Sequence, residues 1–373
     1  MRVAVIITAR PSYAKLKTVI AALVARGADV QIIACASALL ERYGYVRGVI
    51  AKDFPQLEIT DCWSTYEGAN LVTSAKETGA LLTELAGVLT SLRNDYGLVC
   101  ADRHEVLAAA QACSYLQIPL IHMQGGERSG SVDDKVRDAI TQLADIHCVS
   151  TRQAQMRVYA LTGNSESVIW TGCPSIDLAK QALSEPPVTA EELGGAGKPM
   201  NLAQSFVVVL QHPVTSEAAQ AYQQMGQTLD VALTCAVQVL CFWPGEDAGA
   251  DAMSKAIRER HDGLHTIRSL PPVRFLRLLT QAACLIGNSS AGIREAGWLG
   301  VPAVNIGSRQ TGRERGRNVV DVGHDAAAIR AAIQQQIEHG RYKGSDLYGK
   351  GDAGERIAEV IVERVGHRTS EVA

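Results

Sequence analysis

Gly97-Leu98-Val99-Cys100-Ala101-Asp102-Arg103-His104-Glu105 decides the architecture. A short apolar run ends at Cys100, and after Ala101 four ionisable residues follow without a break. Residues 104–116 then read as a helix. A buried strand, a polar turn and a helix form the repeating unit of a parallel sheet covered on both faces.

The same unit recurs on either side. Strands are expected at 2–8, 29–35, 97–100, 118–122, 146–149 and 167–170, and helices at 13–26, 70–93, 104–116 and 132–144. The alternation breaks over 183–201, where Pro186-Pro187, Gly194-Gly195 and Gly197-Lys198-Pro199 read as a linker. It resumes with strands at 205–211, 237–243, 264–268, 283–286 and 302–306, and helices near 216–234, 251–261, 272–281 and 292–300. Two α/β domains with a cleft between them are expected: residues 1–182 and residues 200–351.

At 373 residues the chain is too long for one ordinary core, which agrees with two domains. A net charge of −3 leaves no basic excess for nucleic acid or anionic lipid. An anionic ligand must therefore be held by local charge. The nine cysteines are odd in number, lack CxxC spacing and often fall in apolar runs, so they read as buried reduced thiols rather than zinc ligands. The start, Val3-Ala4-Val5-Ile6-Ile7, reads as a strand, with no signal peptide expected, and no window is long and apolar enough to span a membrane. A soluble cytoplasmic protein is expected.

Parallel sheets bind ligands at the carboxyl ends of their strands. Six segments stand there. Thr8-Ala9-Arg10-Pro11-Ser12-Tyr13 joins a helix start to one guanidinium, which suits phosphate, though a cap with a surface arginine fits as well. Asp102-Arg103 can supply a base and its holder, or merely cap the next helix. His122-Met123-Gln124-Gly125-Gly126-Glu127, with Asp133-Asp134 and Arg137 behind it, packs three carboxylates and a histidine into thirteen residues. Paired carboxylates are what proton abstraction and return require. Gln211-His212-Pro213 offers a group that titrates near neutrality. Gly287-Asn288-Ser289-Ser290 presents hydroxyls and N–H groups to an anion, with Glu295 placed to take two ribose hydroxyls; it is neither a Walker loop nor GxGxxG. Gly307-Ser308-Arg309-Gln310-Thr311-Gly312-Arg313 is a second phosphate clamp or a solvated basic loop.

Together these segments resemble the hydrolysing UDP-N-acetylglucosamine 2-epimerases of sialic-acid-type sugar pathways. The match is ordered and runs from about residue 3 to about 360. It includes Ala101-Asp102-Arg103, His122 through Glu127, Asp133-Asp134 with Arg137, Thr171-Gly172-Cys173-Pro174-Ser175, Gln211-His212-Pro213, Asp247-Ala248-Gly249, Gly287-Asn288-Ser289-Ser290 and Asn305-Ile306-Gly307 with Arg313. The resemblance implies the GT-B fold, two Rossmann-like domains with the nucleotide mostly on the second and a last helix, here 352–365, returning to the first.

It also implies a two-stage reaction. The proton on carbon 2 is removed as the nucleoside diphosphate leaves carbon 1, giving a 2-acetamidoglucal. Water then adds at carbon 1 and a proton returns to the opposite face of carbon 2. For UDP-N-acetylglucosamine the products are N-acetylmannosamine and UDP. By matched position Asp102, Glu127 and Asp133 are the acid/base carboxylates, with the order of their use left open, and His212 contacts the diphosphate or protonates the leaving group. Arg10, Ser12, Arg103, Asp247, Asn288, Ser289, Ser290 and Arg313 bind substrate or nucleotide, and Glu295 the ribose. No cofactor or metal is implied, and a homodimer or homotetramer is.

The chain departs from the family pattern at three places. Ala101 stands for a usual glycine, Asp138 follows Arg137 where a histidine is common, and Pro244-Gly245-Glu246-Asp247-Ala248-Gly249-Ala250 lacks a usual asparagine and serine. Alternatives are the same reaction on a UDP- or GDP-linked 2,4-diacetamido-2,4,6-trideoxyhexose, a non-hydrolysing epimerase, a GT-B glycosyltransferase and a catalytically dead nucleotide-sugar sensor.

Overall fold

Apolar runs of three to seven residues become buried strands because helices cover both of their faces. The computed structural model describes all residues except 67–69, 131–132, 236–237, 246 and 372–373. Val132 and Val237, expected in a helix and a strand, and Glu246, in the departing segment, lie outside the described residues.

The first sheet contains β1 (Arg2–Ile7), β2 (Asp29–Cys35), β3 (Ile59–Cys62), β4 (Tyr96–Cys100), β5 (Leu120–Met123), β6 (Ile146–Val149) and β7 (Val168–Trp170). Its order is β3-β2-β1-β4-β5-β6-β7, and every pairing is parallel. Alternate residues of β1 feed two cores. Val3, Val5 and Ile7 meet Leu16, Val19, Ile20 and Leu23 of the helix Arg10–Ala25. Ala4 and Ile6 share the opposite core with Leu81, Leu85 and Leu89, the i, i+4, i+8 stripe of the helix Leu71–Leu92. Each of those three leucines is fully buried and contributes on the order of 2 kcal/mol of transfer free energy.

The second sheet contains β8 (Ala196–Gly197), β9 (Phe206–Leu210), β10 (Gln238–Phe242), β11 (His265–Ile267), β12 (Cys284–Gly287), β13 (Ala303–Ile306) and β14 (Val319–Val322). Its order is β14-β13-β12-β9-β10-β11-β8, parallel apart from the antiparallel β8. Val207, Val209, Cys284 and Ile286 pack there against Met225, Leu229, Ile257, Ile329 and Ile333. Two doubly wound α/β units, one per sheet, are the Rossmann-like pair of the expected GT-B class.

The chain divides into one unit of Met1–Glu127, Val132–Asp177 and Gly349–Ala373, and another of Arg128–Ser131 and Leu178–Tyr348. The C-terminal helix Ala353–Glu371 belongs to the first, with Ile357, Ala358 and Ile361 in the core beneath β1. Asp177 fixes its start by accepting the N–H groups of Ala353 at 2.9 Å and Gly354 at 2.7 Å.

The segment 183–201 is not a plain linker. It holds the short helix Ala190–Leu193 and strand β8. Gly195 and Gly197 have φ of +91° and +98°, and a Cβ on either would stand 2.4 Å from Thr266 O or 2.2 Å from Leu264 O. Those glycines are there for close strand approach. Eight of the nine cysteines are buried and Cys235 is half-buried; all are thiols. No helix among the described residues is long and apolar enough to cross a membrane.

Candidate active site

In the first sheet the strand order reverses between β1 and β4. In the second it reverses between β9 and β12. At a reversal the two outgoing connections leave toward opposite faces and open a crevice at the carboxyl edge. Arg10 follows β1, Asp102 and Arg103 follow β4, His212 follows β9, and Asn288, Ser289 and Ser290 follow β12. These candidates therefore stand at the two switch points, each within its own unit, while Glu127 and Asp133 follow β5, Asp247 follows β10 and Arg313 follows β13.

In the first unit Arg137 organises the carboxylates. It is 2% exposed, and its guanidinium bonds the Asp102 carboxylate, the Asp134 carboxylate at 2.6 Å and the Glu127 carbonyl. Glu127 is itself buried. The helix Asp133–Leu143 presents Asp134 and Arg137 to the same spot because they are three residues apart. Asp133 opens that helix, half-buried. Asp134 and Arg137 are quoted in the motif, yet the sequence assigned neither a role. Arg103 forms a forked pair with buried Glu105, Nη2 to Oε1 at 2.9 Å and Nε to Oε2 at 3.1 Å.

Arg10 opens its helix half-buried, with Nη1 3.1 Å from where a Cβ on Gly44 would stand. Ser12 is committed locally: its hydroxyl donates to Ala9 O at 2.6 Å and accepts the Ala9 N–H at 3.1 Å. The glycine pair has two distinct causes. A Cβ on Gly125 would stand 3.0 Å from Thr141 Oγ1, and Gly126 has φ of +75° with Ala154 O 2.4 Å from its Cβ position.

In the second unit the Asn288 side chain accepts the His212 N–H at 2.7 Å and donates to His212 O at 2.8 Å. Gly287 allows this approach: its φ is +131°, and a Cβ would stand 2.3 Å from Leu210 O. Gly245 N–H points at His212 Nδ1 from 3.4 Å, which leaves the ring proton on Nε2. Burial, then the Arg309 charge, pushes His212 down to about 4, while Asp247 pulls upward. The ring is thus a neutral Nε2–H donor near pH 7, suited to hydrogen-bonding an anion.

Ser289 Oγ accepts the Ala291 N–H at 3.3 Å and starts a short turn through Ser290. Glu295 Oε2 is buried and has no hydrogen-bond partner among the described residues. Arg313 is 8% exposed with Nε on Gln310 Oε1 at 2.7 Å. Arg309, quoted in the second clamp but given no role of its own, brings Nη1 to 3.3 Å from Asn288 O.

A cavity of about 820 Å³ beside Leu40, Trp63 and Tyr66 is lined by none of the candidates. Glu77, His104 and Glu105 offer ligand atoms within 4.8 Å of one another. The Arg103 guanidinium already spans Glu105, and a second cation there would meet that charge.

Comparison with known proteins adds to this geometry. Residues 21–362 match the sequence profile of a family described as UDP-N-acetylglucosamine 2-epimerase. A UDP-N,N'-diacetylbacillosamine 2-epimerase (hydrolyzing) of Legionella pneumophila is 32% identical over 290 residues, 77% of this chain and 76% of that protein. A UDP-N-acetylglucosamine 2-epimerase of Neisseria meningitidis is 30% identical over 287 residues, 76% and 75% of the two chains. The crystal structure of UDP-GlcNAc 2-epimerase from Neisseria meningitidis bound to UDP-GlcNAc superposes with a TM-score of 0.81 at 17% identity, over 97% of this chain and 100% of that one.

Proposed function

The chain belongs to the UDP-N-acetylglucosamine 2-epimerase family, and from that premise we propose that it is a hydrolysing 2-epimerase, converting UDP-N-acetylglucosamine or a close derivative to the free 2-epimeric sugar and UDP. The observation that carries this reading is the group of carboxylates gathered at the first switch point, with Asp102 and Asp134 on one buried arginine.

The proton on carbon 2 of an N-acetylhexosamine is weakly acidic, so its removal must accompany departure of the diphosphate from carbon 1. Asp102, Glu127 and Asp133 are the acid/base groups of the proposal. One accepts the carbon-2 proton as the C1–O bond breaks, leaving a 2-acetamidoglucal. Water then adds across the double bond, its oxygen to carbon 1, while a proton enters carbon 2 from the other face. His212, Ser289, Ser290, Arg10 and Arg313 serve the diphosphate, with Ser12, Arg103, Asp247 and Asn288 supporting substrate binding, and Glu295 takes the ribose hydroxyls. Donors aimed at the departing diphosphate gain most as its charge develops, which is where acceleration is needed. The functional domains of this reading are 1–182 with helix 352–365, and 200–351; its setting is a cytoplasmic homo-oligomer.

A second reading keeps the reaction and changes the sugar. The similarity to hydrolysing diacetylbacillosamine epimerases, at 32% and 26% identity, favours a UDP- or GDP-linked 2,4-diacetamido-2,4,6-trideoxyhexose. Product analysis with each sugar nucleotide in turn separates the two. Asp102→Asn tests the shared chemistry: product formation should stop while UDP binding persists, and full activity in that variant would remove Asp102 from the mechanism.

A further inference from the structure

Ala101, immediately before Asp102, has φ of +75°, a conformation that costs an L-residue about 1–2 kcal/mol. Its carbonyl oxygen stands 2.9 Å from His122 Nε2. A carbonyl only accepts, so Nε2 carries the proton. Burial pushes the His122 ring down to about 4, so at neutral pH Nδ1 is a bare acceptor. Thr141 Oγ1 lies 3.3 Å from that Nδ1 and 2.8 Å from the Arg137 carbonyl. One hydroxyl proton thus serves two acceptors. Arg137, one turn before Thr141, reaches Asp102 with its guanidinium. The circuit Ala101–His122–Thr141–Arg137–Asp102 closes through the peptide bond joining Ala101 to Asp102.

His122 and Thr141 are 0% exposed and Arg137 is 2% exposed. Buried side chains of this kind act on chemistry through the groups they hold, and the Arg137 guanidinium holds the Asp102 carboxylate and the main chain of Glu127. The Arg137 pair exists only while Asp102 is a carboxylate, and without Arg137 two carboxylates, Asp102 and Asp134, lose their shared counter-charge.

We propose that His122, Thr141 and Arg137 are positioning residues that lock the strained Ala101–Asp102 turn and keep the Asp102 carboxylate aimed and charged for proton transfer. This rests on the assignment of Asp102 to the acid/base chemistry. Gly125 belongs to the same device: a side chain there would press on Thr141 Oγ1 and on His122 Nδ1, 3.0 and 3.2 Å from its Cβ position.

The test compares pH–rate profiles of the wild type, Arg137→Gln, Arg137→Lys and Thr141→Val on the sugar nucleotide that the wild type turns over. In Arg137→Gln the acid limb of kcat/KM should move up by at least about one pH unit and kcat fall by about 100-fold, with KM within about threefold. Arg137→Lys should return the acid limb toward wild type while kcat stays low, because an ammonium cannot reproduce the fork. A folded Arg137→Gln protein with an unchanged acid limb and kcat overturns the proposal. If that variant does not fold, Thr141→Val decides: loss of one hydrogen bond should lower kcat about fivefold at constant KM, and wild-type kcat overturns it. Histidine 15N NMR of the resting protein is independent of any substrate. The Nε2–H tautomer at His122 supports the circuit and the Nδ1–H tautomer overturns it, even if no 2-acetamido nucleotide sugar is turned over and the functional reading itself fails.

Discussion

The Asn288 side-chain amide bonds both main-chain polar groups of His212, accepting the N–H at 2.7 Å and donating to the carbonyl at 2.8 Å. The loops after β9 and β12 are thereby fixed to each other at the second switch point. Asn288→Ala leaves a buried donor and acceptor unmatched, which costs about 1–3 kcal/mol. We expect a lower melting temperature and weaker UDP binding by calorimetry. Unchanged affinity would separate the Asn288–His212 clasp from nucleotide binding.

Gly287 cannot carry a side chain. At φ of +131°, a Cβ would stand 2.3 Å from Leu210 O and 2.6 Å from its carbonyl carbon, both backbone atoms that cannot step aside. Gly287→Ala should force β9 and β12 apart and destabilise by more than about 3 kcal/mol. Chemical denaturation checks this, and a cost below about 1 kcal/mol would mean that the strands yield freely.

Ala101 should behave in the opposite way. Glycine adopts φ of +75° without penalty, so Ala101→Gly releases about 1–2 kcal/mol of backbone strain. Greater unfolded-chain freedom returns about 0.4–1 kcal/mol. The expected net gain is about 0.5–1 kcal/mol in the urea midpoint analysis. The ordinary cost of an alanine-to-glycine change would show that Ala101 is not strained.

Acid should unfold the first unit through its buried histidines. Burial pushes both His122 and His147 down to about 4, and each also faces the other across β5 and β6. Asp145 pulls His147 upward, against that shift. A histidine whose folded value is depressed binds its proton more readily when unfolded. Its contribution is complete above the ordinary value of about 6.5 and is lost as pH falls through about 4. The full effect is on the order of 3 kcal/mol for each. Melting temperatures from pH 7.5 to 4.5 should fall, and His147→Phe should flatten the slope. A slope unchanged by that substitution would contradict the assignment.

Much of this is written locally in the chain. Central strands such as β1, β4 and β9 are continuous apolar runs, and their carboxyl ends point to Asp102, His212 and Asn288. The edge strands β3, Ile-Thr-Asp-Cys, and β14, Val-Val-Asp-Val, escaped the sequence reading because each carries an aspartate on a partly solvated face. β8 hides among glycines that look like a linker. The circuit behind Asp102 was illegible because it joins a strand end, a neighbouring strand and a helix, at positions spread from 101 to 141. Adjacent Asp133 and Asp134 carry the same chemistry, and only the rotation of their helix puts Asp134 on Arg137. Arg309 and Arg313, four residues apart in a loop, posed the same choice without a periodicity to settle it.

The most direct measurement of the central claim is one incubation of the enzyme with UDP-N-acetylglucosamine in heavy water, followed by NMR, with a UDP-linked 2,4-diacetamido sugar in a parallel tube. Elimination and hydration predict UDP together with a free 2-epimeric sugar bearing deuterium at carbon 2, in one tube or the other. A nucleotide-linked epimer, or a released sugar that keeps its original proton at carbon 2, would contradict the account.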